Sequence, residues 1–390
     1  MKTSSCDLSV KPRFEILDGL RGVAALIVVA FHIFEIHSKG PALQIINHGY
    51  LAVDFFFALS GFVLGYAYDD RWRKGMSTGG FLLRRIIRLQ PMVIAGATFG
   101  LLTYYFGLAD IESTGVGVLL LVWLLSCFMI PITKTLDVRG WEEGYALDGP
   151  QWTLGFEYVA NLLYALFIRR MPRWMLGLFV ICFAFLTIDV TLNLDTFGML
   201  AERVKARYTL IGGWSLAPTQ LYIGFTRLLY PFFAGLLVYR LGMRIKVRGG
   251  FYLCSAIIAA ALLMPRVGIG AYEWSNGLYE AFCVLAVFPV VLMIGAGTLE
   301  QGRRTTKCCQ WLGKISYPIY ITHYPLIYIL FEWTVKHPGF PLEVHVFNGV
   351  ALFIFAVAIA YAFEKLYDEP VRCWLTNKWK AGKRDSDKGC

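Results

Sequence analysis

Residues 18–32 read DGLRGVAALIVVAFH, an apolar run with an arginine at one end and a histidine at the other. Arg21 and His32 are eleven residues apart. At about 100° per residue that is three turns plus roughly 20°, so the two side chains share one helix face, about 16 Å apart along the axis. An ionisable pair aligned on a membrane-length helix is costly and marks a functional site. A second reading makes Arg21 a helix anchor beside Asp18 and His32 a packed core histidine.

The surrounding chain fixes the class. It has 390 residues, 57% hydrophobic and only 16% charged, with mean hydropathy +0.55. Soluble domains carry about 25% charged residues. Apolar runs recur at 20–37, 49–68, 89–109, 115–133, 152–168, 174–193, 220–239, 250–264, 277–297, 315–333 and 346–364. This predicts an all-α, polytopic integral membrane helical bundle.

Charge placement decides how many runs cross. The chain carries 37 Lys and Arg and a net charge of +10. If every run crosses, the basic residues fall almost equally on both sides. If 115–133 enters and leaves on the outer face, 28 lie inside, 8 outside and Arg227 within the membrane. Basic loops stay cytosolic. The expectation is therefore ten transmembrane helices plus a re-entrant segment at about 115–133, with both termini cytosolic. Gly115, Gly117 and Pro131 flank that segment, and irregular backbone at membrane depth lines cavities. The expected organisation is one transmembrane domain, 1–367, and a disordered basic cytosolic tail, 368–390, near anionic headgroups. No soluble domain is expected beyond these.

The first apolar run precedes no small-residue cleavage site and is read as a retained span, not a signal peptide. The nine cysteines show no C-x-x-C spacing. No histidine-pair metal motif, phosphate loop, dinucleotide fingerprint, G-x-S-x-G or nucleic-acid motif occurs, so no metal, permanently bound cofactor or nucleic acid is expected.

Polar residues inside the apolar runs are the remaining candidates. Asp54 opens VDFFFALSGFVLGY near the outer end of the second span. Arg84, Arg85 and Arg88 stand in FLLRRIIRLQP at the cytosolic mouth of the third, where guanidinium forks match phosphate oxygens. Trp152 and Glu157 lie in QWTLGFEYVANLLY, with Asn161 one turn beyond. Arg227 needs a buried partner, with Glu157, Glu280 and Asp189 as candidates. Ser316, Tyr320 and His323 form a polar stripe on one face of ISYPIYITHYPLIY, where Pro318 and Pro325 suggest a bent or broken helix. The histidines at 37, 48, 337 and 345 sit near outer loops and carry no signal.

In order and spacing, these runs resemble the integral membrane acyltransferase 3 family of O-acyltransferases over nearly the whole chain. The resemblance rests on the Arg-x10-His of residues 21–32, VDFFFALSGFVLGY, the R-x-x-R of FLLRRIIRLQP, QWTLGFE and LGKISYPIYITHYPL, with YPFFAGLLVYR and AFEKLYDEPVR in support. Thr153 replaces the family's usual serine and keeps the hydroxyl.

The resemblance implies transfer of an acyl group, most simply acetyl, from cytosolic acyl-CoA to a hydroxyl of a sugar, glycan or glycolipid across the membrane, in a bacterial inner membrane. Arg21, Arg84, Arg85 and Arg88 would meet the donor's phosphates. His32 would act as general base or acyl carrier and Glu157 would orient the acceptor or tune His32. Asp54, Trp152, Ser316, Tyr320 and His323 would support acceptor or transition state. Rival readings are a flippase or transporter using the same polar residues, and acylation of a lipid or a secreted small molecule. Oligomeric state is not legible.

Overall fold

The computed structural model describes residues 13–38, 44–107, 114–201, 203, 206–268, 270–298 and 302–388, with side chains as far as 381. Among these residues all regular structure is helical. Cys6 and Cys390 lie outside them.

The helices are α1 (Glu15–Ile36), α2 (Ala52–Arg73), α3 (Thr78–Phe106), α4 (Val116–Cys127), α5 (Gln151–Leu166), α6 (Arg173–Thr191), α7 (Pro218–Leu241), α8 (Gly250–Leu263), α9 (Trp274–Phe282), α10 (Phe288–Gly297), α11 (Arg303–Lys336), α12 (Leu342–Phe363) and α13 (Glu369–Lys388). A π-turn at Cys283–Val287 joins α9 to α10. Seven helices are long and apolar enough to cross a membrane: Glu15–Ile36, Gly49–Arg73, Thr78–Phe106, Arg173–Thr191, Pro218–Leu241, Gly270–Gly297 and Leu342–Ala381. The other three expected spans, α5, α8 and α11, are not among these seven. α5 and α8 have 16 and 14 residues, about 24 and 21 Å against a hydrocarbon core of about 30 Å. α11 has ample length, 34 residues, but is rich in polar and basic side chains. α4, with 12 residues, spans about 18 Å.

Two parallel helix pairs organise the bundle. α1 runs alongside α11 in the same direction. A Cβ on Gly19 would stand 2.8 Å from Cys309 Sγ, one on Gly22 2.5 Å from the Leu312 carbonyl oxygen, and one on Gly313 2.7 Å from Asp18 Cβ. The small residues let the backbones meet, as membrane helix contacts require. α2 and α7 form the second pair. There a Cβ on Gly61 would lie 2.0 Å from the Phe232 carbonyl oxygen, and one on Gly235 1.9 Å from that of Ala58. α7 ends where Gly242 takes φ +66°, and its N–H and that of Met243 close on the Tyr239 and Val238 carbonyls. That left-handed geometry favours glycine.

α11 continues unbroken through Pro318 and Pro325, so the broken-helix alternative does not hold. Among the described residues after Asp368, Glu369–Lys388 are helical rather than disordered, as α13. A π-turn at Glu364–Asp368 carries the α12 axis onward, and Arg372 pins it by ion pairs to Asp368 at 2.7 Å and Glu364 at 3.5 Å. Trp379 lies on the Arg84 guanidinium, 4.5 Å from ring centre, which docks α13 on α3.

Candidate active site

The sequence stripe on α11 makes contacts at three levels, two to α1 and one to α5. Arg21 Nε donates to Ser316 Oγ at 2.7 Å, and its Nη2 to the Gly313 carbonyl at 3.0 Å. One turn on, the Tyr320 hydroxyl meets Thr153 Oγ1 of α5 at 2.9 Å. Another turn on, His323 faces His32, with ring centres 5.5 Å apart. Arg21 and His32 therefore lie on one face of α1, and that face is turned to α11.

The two imidazoles are set alike. His323 is fully buried, and its Nδ1 lies 2.9 Å from the Ile319 carbonyl oxygen. A carbonyl only accepts, so Nδ1 carries the proton and Nε2 is the basic nitrogen. That Nε2 is buried without a hydrogen-bond partner among the described residues. His32 Nδ1 lies 2.8 Å from Glu35 Oε2. A carboxylate at Nδ1 holds the proton there and leaves Nε2 as the basic atom. His32 is 18% exposed and Glu35 48%, so the pair opens toward the end of α1. The Tyr324 ring packs edge-on to His32 at 4.8 Å.

Behind Tyr324 stands a half-buried acidic group, Glu143, from the connection between α4 and α5. Tyr324 donates to Glu143 Oε1 at 3.2 Å, and Tyr328 donates to Oε2. Arg139 lies over the Tyr328 ring at 3.6 Å. Burial pushes the Glu143 carboxyl up from 4.5 to about 7, against the two tyrosine hydrogen bonds and Arg139. Asp148 is fully buried, and neither carboxylate oxygen has a hydrogen-bond partner among the described residues. Burial first, and the Glu143 charge second, hold it well above the usual carboxylate range.

At the other end, Glu157 and Arg85 form an ion pair at 2.5 Å, with Ser60 Oγ 3.4 Å from the same carboxylate oxygen. The carboxylate against His32 is thus Glu35, while Glu157 serves the arginine cluster. Arg88 lies over the Tyr317 ring at 5.9 Å. Arg84 faces Trp379.

Asp54 and Trp152 belong to a third cluster. Asp54 is fully buried and pairs with Arg227, whose Nη2 and Nε lie 2.8 and 3.2 Å from Oδ2. None of the three expected carboxylates is the Arg227 partner. Its other N–H groups reach the carbonyls of Tyr50 (2.6 Å) and Gly212 (3.1 Å), and the Trp152 ring lies 5.3 Å from its guanidinium. Glu280 instead takes the Tyr50 hydroxyl, the Leu210 N–H and the Asn276 amide. His48, without signal in the sequence, is fully buried between the Met264 carbonyl and Asn276.

Sequence reading missed Glu35, Tyr324, Glu143 and Asp148. The i,i+3 spacing of His32 and Glu35 was a usable signal. Glu143 and Asp148 offered none, because they come from an irregular connection.

A sequence model of the family described as the acyltransferase domain matches residues 14–365. The chain is 37% identical over 163 residues to Protein 2 in picA locus of Rhizobium radiobacter, covering 39% of this chain and 81% of the relative. It is 27% identical over 347 residues to acyltransferase MdmB of Streptomyces mycarofaciens, covering 81% and 79%. It is 21% identical over 338 residues to the peptidoglycan O-acetyltransferase OatA of Listeria monocytogenes, covering 80% of this chain and 49% of the relative. No solved structure matches the chain.

The half-buried Glu143 makes stability depend on pH. Its raised carboxyl favours the protonated fold, so its contribution is complete below about 4.5 and is lost as pH rises through about 7. Replacing Glu143 with Gln should flatten the thermal-stability profile of the detergent-solubilised protein over that window. An unchanged slope contradicts the assignment.

Proposed function

The chain belongs to the acyltransferase family that matches it over residues 14–365 and is a membrane-embedded acyltransferase, and from that premise we propose an acyl-CoA-dependent O-acyltransferase with His32 at its centre. The acyl group, most simply acetyl, comes from acyl-CoA on the cytosolic side. It goes to a hydroxyl of a sugar or glycan on the outer side. The relative named for peptidoglycan O-acetylation supports a glycan acceptor and an acetyl group. The observation that carries the reading is the single face of α1. Arg21 sits near its start, and His32, held by Glu35 and backed by His323, sits near its end.

Arg21, Arg84, Arg85 and Arg88 supply the positive charge for the donor's phosphates, and Glu157 fixes Arg85 by its ion pair. The pantetheine arm then follows α1 for about 16 Å to His32. His32 Nε2 removes the acceptor hydroxyl proton as the oxygen attacks the thioester carbonyl. The tetrahedral intermediate collapses, the C–S bond breaks, and the proton passes from His32 to the departing thiolate. Glu35 holds the imidazolium formed on the way. Tyr320 and His323 border the same space and position acceptor or carbonyl. Asp54 and Trp152 act indirectly, through Arg227.

The Lys/Arg asymmetry of the loops supports cytosolic termini and ten crossings; the family resemblance supports an inner-membrane location. The 12-residue length of α4 supports a segment that enters and leaves on one face.

His32→Ala should abolish acyl transfer while membrane insertion is retained, and Glu35→Gln should lower kcat with a shifted pH–rate profile. Transfer at the native rate in the His32 variant sinks the role. The double change Arg85→Gln and Arg88→Gln should raise the apparent KM for acyl-CoA at least tenfold, about 1.4 kcal/mol, with acceptor KM little changed. Unaltered donor affinity removes the phosphate assignment. Single cysteines at 115 and 133, in a background of otherwise unreactive cysteines, should both label from the outer side. Labelling from opposite sides disproves the one-face path of α4.

A further inference from the structure

A cavity of about 630 Å³ opens where α2, α5 and α7 end and α6 begins. Its lining includes Asp69, Asp70, Arg73, Arg169, Arg173 and Arg240, four arginines against two aspartates. It lies at the end of the bundle where α1 starts, away from the His32 pair.

The charges in this lining are not equivalent. Arg240 is spent: Nε and Nη2 reach the two oxygens of Asp69 at 2.9 and 3.1 Å, and the remaining N–H groups reach the carbonyls of Ile168, Arg169 and Met171. Asp69 also accepts from the Tyr164 hydroxyl at 2.7 Å. This wall is electrically balanced, and Arg240 covers carbonyls at the α5 end that would otherwise repel an anion. Asp70 lies 3.8 Å from Arg73, which is largely exposed.

Arg169 and Arg173 are different. Arg169 donates Nε to the Ala165 carbonyl at 2.6 Å and rests 4.0 Å above the Trp72 ring. Neither it nor Arg173 has a carboxylate at ion-pair distance among the described residues. The four-residue step through Met171 and Pro172 brings both to the cavity. Arg173 is also the first residue of α6, whose free N–H groups and dipole favour an anion. Next to these arginines along the chain, Leu166, Phe167 and Trp174 are 42%, 59% and 72% exposed, an apolar rim on the end of α5 and the start of α6.

Two uncompensated guanidiniums, a helix N-terminus and an apolar rim match a ligand with an anionic head and hydrocarbon tails. Guanidinium forks pair with phosphate oxygens bidentately, and basic pockets between membrane helices take lipid headgroups. We propose that this cavity binds the phosphate headgroup of an anionic phospholipid, held by Arg169 and Arg173, with its acyl chains lying along Leu166, Phe167 and Trp174. The proposal is independent of the acyl-transfer reading.

The test is native mass spectrometry of the full chain released from nanodiscs of phosphatidylcholine with a minor fraction of phosphatidylglycerol. The wild-type protein should retain phosphatidylglycerol in preference to phosphatidylcholine. Arg169→Gln with Arg173→Gln should cut that preference on the order of tenfold, from the loss of two surface cations. Arg173→Gln alone, which removes no hydrogen bond within the described residues, should cut it severalfold and guards against a misfolded double variant. Equal retention of the two lipids, or an unchanged preference in both variants, overturns the proposal. Inorganic phosphate and coenzyme A are added as competitors. Displacement of the lipid by phosphate marks a free-anion site, and displacement by coenzyme A marks part of the donor site; each overturns the lipid assignment. Persistence of the lipid against both supports it.

Discussion

Close parallel contact between α1 and α11 is the constraint on which the site depends. Glycines at 19, 22 and 313 remove the side chains that would hold the two backbones apart. In hydrocarbon no hydrophobic force drives helices together, so close packing and buried hydrogen bonds must do so. Arg21 supplies those bonds by donating to Ser316 and the Gly313 carbonyl. With these contacts fixed, the register is fixed, and His32 comes to rest against His323 and Tyr324.

A second constraint acts through α2 and α7. Their tight crossing at Gly61 and Gly235 sets Asp54 opposite Arg227. Taking both charges out of water costs several kcal/mol per ion, and removing one partner of such a pair typically costs about 3–5 kcal/mol. The pair persists because nearly every Arg227 donor is matched, by Asp54 and by the carbonyls of Tyr50 and Gly212. Trp152 closes over the guanidinium. Arg227 thereby ties the start of α5 to α2 and α7. The adjacent residue, Thr153, then carries the α5 contact to Tyr320 on α11. The buried ion pair and the histidine pair are mechanically joined through this one turn of α5.

The arginine cluster and the histidines divide the labour of the site. Arg85 is neutralised in part by Glu157, so the cluster does not present bare like charges to one another. Glu35, at the open end of α1, sets the histidine tautomer. The acids of the α4–α5 connection sit behind Tyr324, where burial rather than charge pairing dominates their protonation. Glu143 shapes the wall of the site through its hydrogen bonds from Tyr324 and Tyr328.

Hydrophobic run length and composition made the all-helical membrane bundle legible, because lipid admits few other spanning structures. The periodicity of 3.6 residues was enough to put Arg21 and His32 on one face, and Ser316, Tyr320 and His323 on another. It did not show that these two faces meet. That Asp54, and not Glu157, Glu280 or Asp189, answers Arg227 was also outside its reach. Nor did local pattern reveal that α13 is ordered, since a basic, polar segment gains its helix from docking against α3 and from the Arg372 ion pairs. The first two share one physical reason. Helix periodicity is a property of neighbours in sequence, whereas the partner of a buried charge is chosen by which backbones glycine allows to touch, and only the tertiary structure decides that.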